Sequence, residues 1–411
     1  MQHPNQLVLS SNHQPAVDRK AIAFIFITVL LDFLGAGILV PIIPFLVGQF
    51  NQDALIVGLL GLSFYAAQFI AAPALGILSD RYGRRLVLLI SVIGTGLADL
   101  VFGFANALWL LFAARLFDGM TGGNIAVAQA YIADVSSPKD RAKNFALIGA
   151  AFGIGFVIGP ALGGWLSQIS LKAPAFVAGS LSLFTAILGF FILPESLPLE
   201  RRLRGAIALK ELNPLKQIRE ALQRPTLRRF LLANFAQNLA FSALQTNFAL
   251  FTFVRFGLGA QQNGGIFAYI GIISVLMQGL ITRRLVQRFD EQRLTIMGLA
   301  SMAVGYATVA LAPSVWMLYL SITLLSVGSG IAIPTLTGTI SKQASLRQQG
   351  SILGATQAIS SLALIVGPVW AGFAFDYFGT NTPYWTGAIC LVVAALFAAS
   401  GASLIQRLPK V

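Results

Sequence analysis

Four ionisable side chains stand inside long apolar stretches of this sequence: Asp32, Asp99, Arg115 and Asp118. A charged group in the hydrocarbon core of a bilayer costs about 2.5–3.5 kcal/mol on insertion scales, so it pairs with another group or faces water, and it marks a functional site by default. Arg115 and Asp118 are three residues apart, so they can neutralise each other on one helix. Asp32 has no such neighbour in its own stretch and can load and release a proton, with Arg115 as an exchangeable partner. Both interpretations of Arg115 remain open.

Asp99 lies nearer the outer end of its stretch, where we expect it to face water. The candidates for proton coupling are therefore Asp32 and Arg115, with Asp99 and Asp118 as additional candidates. The second half of the chain offers uncharged amides in place of charges. The amides expected to line a substrate cavity are Asn124, Asn234, Asn238, Gln245, Gln278 and Gln357.

The elements that must hold these groups are membrane-spanning helices. Of the 411 residues, 56% are hydrophobic and 10% are charged, whereas soluble domains carry about 25% charged residues. This composition excludes a cytosolic enzyme and a disordered protein, and a single cysteine, Cys390, excludes an internal disulfide. Twelve stretches are long and apolar enough to span a bilayer. They are 21–49, 54–78, 86–105, 108–133, 143–168, 174–193, 228–254, 264–285, 294–312, 315–340, 350–373 and 383–405.

The position of the positive charge predicts the orientation. Of the 28 lysines and arginines, 25 fall in the termini and in alternate loops, and basic residues concentrate in cytoplasmic loops. Both termini are therefore expected in the cytoplasm, and the net charge of +13 reflects topology, with no nucleic-acid partner expected. Residues 1–20 are expected to form a cytoplasmic tail; a cleaved signal at 19–37 is the alternative.

A repeat divides the chain into halves. Trp109 matches Trp316, and Gly159-Pro160 matches Gly367-Pro368, at offsets of 207 and 208 residues. Six-plus-six repeats are typical of transporters with a substrate site between the halves. We expect an all-α membrane protein with an N-terminal bundle at 21–193, a cytoplasmic linker at 194–227, a C-terminal bundle at 228–405 and a tail at 406–411. Within the linker, Leu209, Leu212, Leu215, Ile218 and Leu222 have the spacing of an amphipathic helix on the membrane surface; a solvated linker is the alternative.

Several motifs resemble those of a known family. They comprise the segment Leu31 to Gly37 followed by Pro41 and Pro44, the loop Gly76 to Arg85, the segment from Arg115 to Asp134, and Gly159-Pro160 to Gly164. Together they resemble the major facilitator superfamily, and within it the twelve-helix drug:proton antiporters of the tetracycline type. Departures from that pattern, such as Ser274 where a histidine is expected, weaken the expectation that tetracycline itself is the substrate.

The resemblance implies roles for two further groups of residues. Gly76, Asp80, Arg81, Gly83, Arg84, Arg85 and Asp134 would form a cytoplasmic gate, in which Asp80 caps the eleventh transmembrane helix and Arg81 or Arg84 reaches Asp134. The antiporter motif of the fifth transmembrane helix would consist of Gly155, Gly159, Pro160, Gly163 and Gly164. Small residues at such spacing let helices approach closely.

The sequence therefore predicts a monomeric antiporter in the bacterial inner membrane that exports amphipathic molecules in exchange for protons. The alternatives are an importer of sugars or organic acids and a receptor without transport activity. No nucleophile with a base lies in the stretches, so we do not expect an enzyme. The two histidines, His3 and His13, lie in the tail, and no phosphate-binding loop is present, so we expect no metal and no cofactor.

Overall fold

The computed structural model describes residues 19–122, 124–136, 141–203, 214–343 and 349–407, and every regular element in these ranges is helical. The helices are α1 (Arg19–Leu39), α2 (Ile43–Gly48), α3 (Ala54–Tyr82), α4 (Arg84–Phe104), α5 (Leu108–Thr121), α6 (Asn124–Val135), α7 (Arg141–Leu166), α8 (Ala173–Ile192), α9 (Pro214–Leu222), α10 (Pro225–Phe256), α11 (Ala260–Leu276), α12 (Thr282–Val286), α13 (Glu291–Leu311), α14 (Val315–Lys342), α15 (Gln349–Phe378) and α16 (Thr382–Arg407). A π-helical turn, Met277–Ile281, joins α11 to α12.

Among the described residues, ten helical runs are long and apolar enough to cross a bilayer. Helices satisfy their own backbone hydrogen bonds, as a bilayer requires. The expected spans at 108–133 and 228–254 are not among the ten. The first is divided between the short helices α5 and α6, and α10 carries five side-chain amides that lower its hydropathy. The all-helical membrane fold is thus confirmed, while the count of twelve spans stays a prediction.

Two expected spans are not single helices. The first stretch, 21–49, is interrupted at residues 40–42, between α1 and α2. Pro41 has no N–H to donate, and Pro44 lies in the first turn of α2, where a proline is tolerated. The stretch 108–133 is interrupted after Thr121, at Gly122. There the side chain of Gln68 donates a 2.8 Å hydrogen bond to the Gly122 carbonyl, which satisfies an acceptor at the helix end.

The two halves use the same helix pairings. In the N-terminal half α1 packs on α7, α4 on α8 and α3 on α5; in the C-terminal half α10 packs on α15, α13 on α16 and α11 on α14. Across the halves, the extensive contacts are those of α3 with α15 and of α7 with α11. These four helices therefore form most of the boundary between the halves.

Polar contacts assign the helix ends to two faces of the protein. Arg229, at the start of α10, donates to the carbonyl of Ser400 near the end of α16. We call this the termini face, because α1 also begins there. On the opposite side, which we call the far face, Arg255 at the end of α10 binds Asn381 before α16. Lys172 likewise joins the start of α8 to the end of α4 on the far face.

The linker helix packs on protein. Residues 204–213, including Leu209 and Leu212, lie outside the described part of the chain, as does the side chain of Leu215. In α9, Ile218 and Ala221 are buried in the core of the C-terminal half, and α9 contacts α15. The helical prediction holds for 214–222, where Ile218 and Ala221 pack on protein, and the position of this helix relative to a membrane surface stays a prediction. The domain boundaries at 193 and 228 stay predictions.

Candidate functional site

Arg115 and Asp118 form an ion pair inside the N-terminal half. The guanidinium Nη1 lies 3.1 Å from the Asp118 carboxylate, and the two side chains are 12% and 9% exposed. The rings of Phe64 and Phe102 lie 5.5 and 5.0 Å from the Arg115 guanidinium carbon, within the range of cation–π attraction. The pairing on one helix, one of the two interpretations of Arg115, is thus present in the structure.

Asp99 is buried, contrary to the expectation that it faces water. Only 4% of its surface is exposed. Its position on α4, which packs on α5, brings it within electrostatic reach of Asp118, Arg115 and Asp32. Asp32 itself is half-buried on α1. Tertiary packing thus gathers the four predicted groups into one cluster, which we call the charged cluster, with three carboxyl groups and one guanidinium.

The predicted cavity amides have different surroundings. Asn234 and Asn238 on α10 donate to the hydroxyl of Ser360 on α15, at 2.8 and 3.3 Å. These bonds join two helices within the C-terminal half. Gln278 and Gln357 are exposed, and the side chain of Asn124 lies outside the described part of the chain.

One amide reaches across to the other half. The hydroxyl of Tyr65 on α3 donates to Gln245 on α10 at 3.2 Å, and Tyr65 also lies within electrostatic reach of Arg115. A hydrogen bond therefore joins a residue within electrostatic reach of the charged cluster to the C-terminal half. The sequence prediction missed Tyr65, although a hydroxyl in the apolar stretch 54–78 was a visible signal.

The gate motif at the termini face is assembled around Arg84. Its guanidinium contacts Asp80 and lies 3.1 Å from Asp134 on α6. The predicted contact of Arg84 with Asp134 is present, whereas the predicted cap by Asp80 on the eleventh transmembrane helix, α15, stays a prediction. Glu195 was missed: its carboxylate accepts from the backbone N–H of Arg84 at 2.9 Å. Gly83 has φ +109°, a conformation that glycine tolerates best.

The other gate residues have separate surroundings. Arg85 donates to the carbonyl of Phe190, and Arg81 lies over the ring of Tyr82 at 5.6 Å. A Cβ added to Gly76 would meet nothing within 4 Å among the described residues. Arg81 therefore contacts its own helix, Arg85 joins α4 to α8, and Arg84 joins α4 to Asp80 and to Asp134 of α6.

The glycines of the antiporter motif bring backbones together. A Cβ on Gly155, Gly159 or Gly163 would lie 2.7, 2.7 or 2.0 Å from atoms of α1, where real contacts need well over 3 Å. Gly164 faces the other half: a Cβ added to it would lie 3.0 Å from the Cα of Gly264 on α11, and a Cβ on Gly264 would lie 2.4 Å from the Pro160 carbonyl. The motif thus packs α7 against α1 and against the second half.

The second boundary pair, α3 and α15, is equally close. A Cβ on Gly58 would lie 2.2 Å from the carbonyl oxygen of Pro368, and one on Gly372 would lie 2.5 Å from that of Ala54. Both contacts lie in the far-face part of α3, as the Gly164–Gly264 contact does in α7. The halves are therefore in backbone contact on the far face.

A cavity of about 320 Å³ lies elsewhere, between α10, α15 and α16. Its lining includes Leu239, Trp370 and Cys390, with no residue of the charged cluster. It is apolar and belongs to the C-terminal half alone.

Comparison with known proteins places this architecture in a family. The model of the Major Facilitator Superfamily matches residues 25–362 and 279–404. The chain is 36% identical to the class C tetracycline resistance protein of Escherichia coli over 92% of this chain and 94% of that one. It is 29% identical to multidrug resistance protein 2 of Bacillus subtilis (strain 168), covering 87% and 90%.

A solved structure agrees with these relatives. The human organic anion transporter MFSD10 (TETRAN) superposes with a TM-score of 0.73 at 26% identity, over 92% of this chain and 99% of that one. The Major Facilitator Superfamily consists of membrane transporters of small molecules, not of enzymes. With the paired halves, the glycine contacts between them and the match along nearly its whole length, the chain belongs to the Major Facilitator Superfamily.

Proposed function

We propose that this protein exports amphipathic small molecules, drugs among them, in exchange for protons. Relatives that align over most of the chain are named for resistance to tetracycline and to multiple drugs, which supports export and disfavours the import of sugars or organic acids. Proton exchange is the finer part of the proposal and rests on the charged cluster.

The charge balance of the cluster is the observation that carries the proton proposal. Asp99 lies within electrostatic reach of Asp32, Asp118 and Arg115, so three carboxyl groups are grouped with one guanidinium. With one cation to three carboxylates, the cluster would carry an excess of negative charge if every group were ionised, and such an excess is costly away from water. Binding of protons by the carboxyl groups lowers that excess. Asp118 already pairs with Arg115, so Asp32, which is half-buried, is the group best able to exchange its proton with water.

Alternating access would connect this cluster to the substrate. The ionisable groups lie in the N-terminal half and the amides of α10 in the C-terminal half, while Tyr65 and Gln245 join the two at 3.2 Å. A change of charge beside Arg115 alters the surroundings of Tyr65, and through it the contact between the halves. Substrate would bind between the halves and cross as they rock.

The remaining parts of the proposal concern the location of the protein, its oligomeric state and its partners. The excess of basic residues in alternate loops supports cytoplasmic termini in the bacterial inner membrane. The repeat encloses a site within one chain, which supports a functional monomer. Protons and the small-molecule substrate are the partners expected besides the lipid bilayer.

Inverted membrane vesicles test this proposal. In vesicles with an acidified lumen, adding tetracycline or ethidium outside is expected to release protons from the lumen as the solute enters. Solute uptake without proton movement would refute exchange, and movement of protons and solute in the same direction would indicate an importer. No movement of either would fit a receptor.

The assignment of Asp32 is tested in the same vesicles. Asp32→Asn is expected to abolish proton release while exchange of labelled for unlabelled solute persists. Asp290→Asn is the matched control, since this carboxylate is exposed before α13 and outside the spans. Full proton release by Asp32→Asn would exclude Asp32 as the carrier.

A further inference from the structure

A carboxylate of the C-terminal half caps a helix of the N-terminal half at the far face. Asp376, near the end of α15, accepts from the backbone N–H of Ala54 at 3.0 Å and from that of Leu55 at 2.8 Å. These are the first two residues of α3. The first N–H groups of a helix have no partner within it, and its positive dipole end attracts an anion.

The residue in the usual capping position does not serve this helix end. Asp53 precedes α3 in extended conformation, yet its side chain makes no capping hydrogen bond. The cap comes instead from a residue more than 300 positions away in sequence, on the other half. It is available only while α3 and α15 touch at the far face, where Gly58, Pro368 and Gly372 bring the backbones together.

The segment that carries Asp376 repeats the gate motif of the opposite face. Gly372, Asp376 and Gly379 have the same spacing as Gly76, Asp80 and Gly83. Gly379 has φ +103° and Gly83 has φ +109°. Each helix, α15 or α3, ends one residue before its positive-φ glycine.

This likeness does not follow the repeat of the two halves. The offset between the segments is 296 residues, not the 207–208 that relates one half to the other. Each half of such a transporter contains two inverted three-helix repeats. Counting spans, α3 is the second helix of the first repeat and α15 the second helix of the last, so the two have opposite directions. The same segment therefore lies at the termini face on α3 and at the far face on α15.

We propose that Asp376 is the gate residue of the far face. It holds that face closed by capping α3 and releases the cap when the far face opens. The proposal rests on the alternating access of the proposed function but not on proton coupling. It is tested by spin-label distances measured without substrate and without a proton gradient. The result can therefore be interpreted even if the protein does not exchange protons.

Spin-label distances measure the two faces directly. Asn106 and Pro313 are exposed in equivalent loops of the two halves at the far face, and Glu200 and Arg288 are exposed at the termini face. Each pair is converted to cysteine in a Cys390→Ala background, labelled, and reconstituted in lipid nanodiscs for pulsed electron resonance.

Asp376→Ala is expected to lower the ratio of far-face-closed to far-face-open molecules about tenfold, within the range of measured N-cap losses. The Asn106–Pro313 distance lengthens while the Glu200–Arg288 distance shortens. Asp376→Asn keeps an acceptor but loses the charge, so a smaller shift in the same direction is expected.

Asp53→Ala is the matched control, because it removes a carboxylate beside the same helix end that makes no capping bond. It is expected to leave both distances as in the parent protein. The proposal is overturned if folded Asp376→Ala or Asp376→Asn matches the parent, or if Asp53→Ala shifts equally. It is also overturned if the far-face distance lengthens with no shortening at the termini face, since Asp376 would then only order a loop.

Discussion

The contact between Gly58 and Pro368 should control which face of the protein is closed. An alanine Cβ at residue 58 would lie 2.2 Å from the Pro368 carbonyl oxygen and 2.8 Å from its carbon. Non-bonded carbon and oxygen atoms need well over 3 Å, so α3 and α15 must separate by about 1 Å. Overpacking of this kind costs about 1–3 kcal/mol. The cost applies only while the far face is closed, and 1.4 kcal/mol corresponds to a tenfold change in a ratio.

Gly58→Ala is therefore expected to lower the ratio of closed to open far face by about 5- to 150-fold, since about 1–3 kcal/mol is lost from the closed state alone. The measurement is the Asn106–Pro313 spin-label distance. Gly61→Ala should give a smaller shift, because its Cβ would lie 3.2 Å from the Pro368 side chain. Gly265→Ala should give none, because no described residue lies within 4 Å of the added Cβ.

A Gly58→Ala protein with the parent distance distribution would refute the reasoning. So would equal shifts for Gly58→Ala and Gly265→Ala, because the effect would then not depend on the contact at Pro368. Both results would mean that the backbone approach of α3 and α15 does not limit opening of the far face.

Two further predictions concern stability within the N-terminal half. Asp118→Leu leaves the Arg115 guanidinium without its 3.1 Å partner and should destabilise the protein by about 3–5 kcal/mol. The double variant, which also carries Arg115→Met, should recover much of that loss. Thermal unfolding of the single and double variants in detergent measures both effects, and equal destabilisation of the two would contradict the pairing. Gly163→Ala would place a Cβ 2.0 Å from a carbonyl of α1 and should destabilise by about 1–3 kcal/mol. Gly149→Ala on the same helix, where nothing in the described part of the chain lies within 4 Å of the added Cβ, should not lower the unfolding temperature. A loss as large as that of Gly163→Ala would point to a general intolerance of α7 to substitution.

The breaks in the helices were partly visible in the sequence. Pro41 and Pro44 stand where the first stretch divides into α1 and α2, and Gly122 stands where α5 ends. The prediction nevertheless counted single spans, because hydropathy records the length of an apolar stretch and is insensitive to a local turn. Whether the freed backbone groups find partners depends on neighbouring helices, as Gln68 shows for Gly122.

The burial of Asp99 was not predictable from its place in the chain. Its position near the end of a stretch suggested access to water, since depth along one helix was the only coordinate available. The structure adds the second coordinate, the side of α4 on which the residue lies, and that side packs toward Asp118 and Arg115. Asp376 shows the same limit: nothing in its local sequence indicates that the backbone of Ala54 is its partner.

The sequence by itself determined that the protein lies in a lipid bilayer, that its fold is helical and which polar groups are candidates for function. A bilayer acts on each segment separately: it demands apolar residues along every span, internal hydrogen bonds and a sorted distribution of basic loops. These demands are written locally in the chain. Only the tertiary structure decided that four scattered ionisable residues form one cluster and that the two halves meet at the far face. It also decided that α3 receives its cap from α15. Those facts depend on which sides of distant helices face each other, and that choice is set by packing across more than 300 residues.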